Sequence, residues 1–73
     1  MAMLILEAIG PRGEELAMAA ADARGYPAGW DSEFDSATID VDGIDDDELR
    51  AVIFEELDAR DPDWRSHLQV VDD

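Results

Sequence analysis

The sequence predicts an α+β fold, a small two-layer sandwich built as βαββαβ. Three observations predict it. Four short stretches have the apolar alternation or apolar run of a strand, and two have the 3.6-residue periodicity of a helix. Their order along the 73 residues is strand, helix, strand, strand, helix, strand. Glycines and prolines (Gly10-Pro11, Gly25, Pro27, Gly43) fall between the stretches. That order is the split βαβ, or ferredoxin-like, arrangement, with the first and third strands central and both helices on one sheet face. If residues 29–34 form a loop instead, a three-stranded βαβαβ remains.

"MLILEAI" (3–9) is apolar on both faces apart from Glu7, as a central strand is. Its apolar surface exceeds what a one-sided sheet hides, which predicts a second copy or a partner over its other face. Gly10-Pro11 ends it, and Pro at a first helical position leaves no N–H unpaired. "EELAMAAADAR" (14–24) follows as a helix, with Glu14 and Glu15 at its positive end and Leu16, Ala19, Ala20 and Ala23 as its apolar face. Gly25 is a left-handed stop, and Pro27 discourages continuation.

"GWDSEF" (29–34) alternates Trp30, Ser32 and Phe34 against Asp31 and Glu33, and "ATIDV" (37–41) turns Ile39 and Val41 inward. Asp35-Ser36 is the expected turn between them. "DVDGIDDDEL" (40–49) then sets six acids around one glycine. A calcium loop needs oxygen ligands at positions 1, 3 and 5, glycine at 6 and glutamate at 12, and no register here supplies that set. A helix start fits better: Asp45 as N-cap, Glu48 three residues on, and Ile44 and Leu49 at the staple positions. Leu49, Val52, Ile53 and Leu57 recur at helical spacing with Phe54 beside them, while Asp47, Glu55, Glu56 and Asp58 face water. In "DPDW" (61–64) Asp61 caps a turn and Trp64 anchors it in the core. "HLQVV" (67–71) alternates as a last strand, and Asp72-Asp73 is a solvated tail.

The chain reads as one domain, 1–73, since no repeat, linker or composition shift divides it. Without cysteine it has no disulfide and no thiolate zinc site. Its apolar runs are too short to span a membrane, and "MLILEAI", interrupted by Glu7, is too short for a leader, so a cytoplasmic location is expected.

Twenty Asp and Glu against five Arg give a net charge of -15. Such a chain is repelled by nucleic acid and anionic lipid, and attracted to basic protein surfaces. The expected activity is therefore non-enzymatic: a protein–protein interaction module for a basic partner, which includes a mimic of nucleic acid or an inhibitor. A homodimer is a further form of partner. Asp40, Asp42, Asp46, Asp47, Glu55, Glu56 and Asp58 are the candidate interaction residues. The alternative is a small regulatory or ligand-binding domain of a salt-adapted, halophilic cell, where absent lysine and abundant Asp are environmental.

No cofactor, metal or catalytic residue is expected. His67 is the single histidine, and Ser32, Ser36 and Ser66 lack a glycine-flanked nucleophile elbow. Glu7, embedded in an apolar run, is the best acid for raised-pKa chemistry, but a strand-end Glu reaching water explains it more simply. "GPRG" (10–13) is too short to cradle a phosphate. Tyr26, Trp30 and Trp64 suit a core or an interface better than a base-stacking platform.

Overall fold

The computed structural model describes residues 2–71; Met1 and the expected tail at 72–73 lie outside them. In order, the elements are β1 (Ala2–Ala8), α1 (Arg12–Ala23), β2 (Ala28–Asp31), β3 (Ser36–Val41), α2 (Asp46–Arg60), a 3-10 turn (Trp64–Ser66) and β4 (Leu68–Val71). The strands make one sheet in the order β2-β3-β1-β4, with every neighbouring pair antiparallel. Element order and strand order together are those of a ferredoxin-like sandwich, with β1 and β3 central. Among the described residues no helix is long and apolar enough to cross a membrane.

Register decides which residues meet the helices. Leu4 lies opposite Ile39, Leu6 opposite Ala37 and Val70, and Ala8 opposite Leu68. These inward positions join Leu16, Ala17, Ala20 and Ala21 of α1, Leu49, Ile53 and Leu57 of α2, and Trp64 in one core. Trp64 is fully buried; its ring stacks on Phe54 at 5.2 Å and its Nε1 donates to Asp58 Oδ1 at 2.7 Å. The Arg65 guanidinium lies 4.3 Å from the Trp64 ring, so a cation–π contact covers the outer side of this anchor.

The helix ends show which local signals win. Gly25 takes φ 69° after α1, with Gly25 N donating to Asp22 O and Tyr26 N to Ala21 O. That is a Schellman ending, built on the left-handed Gly25 that the sequence predicts. The buried face of α1 differs from the expected one. It is Gly13, Leu16, Ala17, Ala20 and Ala21, so Ala19 and Ala23 turn away. In "AMAAADA" every phase offers alanines, and Leu16, the one large side chain of α1 that is fully on the buried face, decides the phase only with the sheet beneath it, leaving Met18 half-buried at its edge.

The turn between β2 and β3 also departs from expectation. β2 ends at Asp31 because its carboxylate accepts from Glu33 N at 2.9 Å, which bends the chain into a turn. Asp35 then takes φ 49°, so Ser32 and Phe34 are turn residues, and Ser36 already belongs to β3. Phe34 therefore projects outward instead of lying on an inner strand face. In "DPDW" the 3-10 turn begins at Trp64, with Asp63 rather than Asp61 at its cap, but Asp61 still bends the chain: its Oδ1 accepts from Asp63 N and its carbonyl from Trp64 N. β4 starts at Leu68, since His67 closes the 3-10 turn by donating from its N–H to Trp64 O.

The acidic stretch 40–49 is a helix start, with Gly43 at φ 90° in the turn and Asp45 extended at the N-cap. Its capping chemistry is not the expected one, because the Asp45 side chain makes no cap bond. The neighbouring Asp46 Oδ1 instead accepts from Met3 N, 3.1 Å away, and ties α2 to β1. Asp46→Ala is therefore expected to destabilise the fold by about 1 kcal/mol. Asp45→Ala should stay within about 0.5 kcal/mol, the scale of ordinary surface changes. Paired urea titrations check this; a larger loss at Asp45 than at Asp46 would restore the capping explanation.

Candidate functional site: an acidic open sheet face and an end cavity

The helices cover one face of the sheet, and register builds the other. Its middle row is Val71, Ile5, Thr38 and Gly29, side by side across all four strands. Above it Met3 pairs with Asp40, and below it lies the row Gln69, Glu7, Ser36, Asp31. Met3 is 49 % exposed, while Ile5 and Val71 are partly so. An apolar centre is thus bounded by three exposed carboxylates: Asp40, Glu7 and Asp31.

No strand contains an arginine; all five stand in or beside the helices and the 3-10 turn. Most of that basic charge is paired nearby. Arg24 Nε and Arg60 Nη1 each contact Glu56 at 2.8 Å, and Arg12 Nη1 lies 3.5 Å from Asp61. The Arg60 hydrogen bond, joined by that from Arg24, holds the Glu56 carboxyl below its ordinary value. Asp61 also stands 3.7 Å from His67 Nε2, so its carboxylate lies between Arg12 of α1 and the residue that precedes β4. Glu7 stands exposed on the open face, between Ser36 and Gln69.

The seven acids singled out in the sequence occupy both layers and the loop joining them. Asp40 lies on the open face, and Asp42 follows β3 in the loop. Asp46 and Asp47 begin α2, and Glu55, Glu56 and Asp58 belong to its second half, in the opposite layer. Asp46, Glu56 and Asp58 are engaged within the fold, by Met3 N, by Arg24 and Arg60, and by Trp64 Nε1. Glu7 and Asp31 join Asp40 on the open face only through strand pairing. Alternation turned Asp40 outward and Glu7 interrupted an apolar run, but nothing local said that those positions were neighbours. Among the described residues no group of three or more His, Asp or Glu side chains is placed to hold a metal ion.

A second feature lies at the end of the sheet where β1 runs into α1. A cavity of about 280 Å³ opens there between Ala8, Ile9, Pro11 and Glu14 on one side and Trp30 and Asp35 on the other. Its walls are held by main-chain bonds: Ala8 N to Asp35 O at 2.7 Å, Ile9 N to His67 O at 2.9 Å, and Gly13 N to Gly10 O at 3.1 Å. Ile9 is 58 % exposed, and Phe34, next to Asp35, is 66 % exposed.

Compared with protein-family models, with curated proteins and with solved structures, the chain matches none. Function must therefore be argued from these surfaces, since a sandwich of this kind carries many unrelated tasks.

Proposed function

We propose that the chain is a non-enzymatic interaction module whose open sheet face docks a protein with basic side chains around an apolar patch. The observation that supports it is the neutral row Val71–Ile5–Thr38–Gly29, set between Asp40 and the Glu7–Asp31 row with no arginine on any strand. Apolar area at the centre of such a surface drives association, and the surrounding acids steer and select a basic partner. A second copy fits this face less well. A two-fold interface would set the same carboxylates against each other, and like charges in contact are costly. Nucleic acid is repelled by the same charge, whereas a protein that binds nucleic acid presents the complementary surface.

Salt adaptation is the second reading, favoured by the acids that also cover the outer side of the helices, such as Glu15, Asp22 and Glu55. The two readings separate by experiment. The docking reading expects a folded chain by circular dichroism at about 0.15 M salt, and a captured basic protein whose affinity falls roughly tenfold or more by about 0.5 M. Asp40→Lys combined with Glu7→Lys should abolish capture, while Glu55→Lys, on the opposite layer, should preserve it. A chain that folds only in molar salt would shift the explanation to environmental acidity. Equal capture by both kinds of variant would remove the sheet face from the proposal.

A further inference from the structure

Resting on that reading, we infer that the end cavity receives an arginine side chain of the docked partner. The cavity is small for a complete ligand, at the bottom of the range for small-molecule sites, and its volume suits a single side chain. Two acidic residues, Glu14 and Asp35, line it together with an indole, Trp30. Carboxylate and indole together match a guanidinium, which pairs with carboxylates through its planar fork and stacks on aromatic rings. The alkyl stem behind it would lie along Ile9 and Pro11, as long cationic side chains cover apolar surface.

Charge complementarity selects a cation over an anion. The start of α1 supplies about half a positive charge, whereas Glu14 and Asp35 supply a full negative charge each. The rest of the chain, at -15, adds to the same sign. The outward-turned Ile9, which lines the cavity, and the exposed Phe34, next to Asp35 in sequence, offer apolar surface to residues flanking the arginine. The three main-chain bonds that hold the walls also mean that little order has to be gained on binding.

The test is an NMR titration of the ¹⁵N-labelled chain with arginine blocked at both ends, beside blocked lysine and blocked citrulline. The Trp30 indole N–H is the reporter, and the Trp64 indole, buried and bonded to Asp58, is the internal reference for folding. Blocked arginine is expected to move the Trp30 signal saturably, lysine several-fold more weakly, and citrulline not at all. Glu14→Gln and Asp35→Asn should each weaken the arginine effect about tenfold, equivalent to about 1.4 kcal/mol. Asn keeps the left-handed backbone accessible at position 35, so that variant should stay folded. Both variants should also weaken capture of the partner protein several-fold. An unmoved Trp30 signal, an equal response to citrulline, or full-strength partner capture by both variants would overturn the assignment. Loss of capture in the Glu7→Lys, Asp40→Lys variant should leave the arginine titration unchanged. A wild-type chain that captures no basic protein but still titrates with arginine counts against the docking face and not against the cavity.

Discussion

Replacing Ile53 or Leu57 by alanine is expected to cost about 2–5 kcal/mol, the range for emptying a buried aliphatic site. Both side chains are fully buried between α2 and the sheet, in the cluster that includes Leu4, Leu6 and Trp64. A domain this small has a total stability of about 5–15 kcal/mol at best, so either change removes a large fraction of it. Glu55→Ala, on the exposed side of the same helix, should lie within about 0.5 kcal/mol of the parent. Its ion pair with Arg24, at 4.0 Å, is exposed and long, and such pairs contribute little. Urea titrations of the three variants check the helical phase. Equal losses at positions 53 and 55 would sink it.

Gly13→Ala is expected to destabilise the fold by about 1–3 kcal/mol, although alanine is the better helix former by about 1 kcal/mol. A Cβ at position 13 would stand 2.6 Å from the His67 carbonyl oxygen and 2.7 Å from Ala8 Cβ. Neither neighbour can give way easily. The His67 carbonyl accepts the bond from Ile9 N, and Ala8 is held by Asp35 O. The first turn of α1 would have to lift from the end of β1, taking a wall of the cavity with it. Gly29→Ala is the contrasting change: nothing lies within 4 Å of its added Cβ, and strand glycine is entropically costly. It should be neutral or stabilising by up to about 1 kcal/mol. Thermal melts of both variants decide the matter, and a stabilised Gly13→Ala chain would show that helix and sheet do not pack this closely.

What the sequence by itself determined is what local chemistry controls. The run "MLILEAI" specified a central strand, the Leu49–Ile53–Leu57 spacing specified the core face of α2, and Gly25 specified where α1 stops. Each of these signals is carried by large apolar side chains at one period, or by a residue with an unusual backbone allowance. They sufficed for the element order, and the element order sufficed for the sandwich.

Only the tertiary structure decided the rest, because it depends on residues distant in sequence. The alanine-rich α1 acquired its phase from the sheet, and the Asp46 carboxylate found Met3 N, 43 positions away, instead of the helix end beside it. The bond that the Asp31 carboxylate accepts from Glu33 N, and the left-handed backbone of Asp35, ended β2 early and set Phe34 outward. Glycine at position 13 reads in sequence only as the last residue of "GPRG", too short to cradle a phosphate; its necessity arises where the helix meets the His67 carbonyl. The proposed site follows the same rule. Charge along the chain points to a basic partner, but strand pairing alone sets Glu7, Asp31 and Asp40 around Ile5, and the arginines are drawn into the opposite layer.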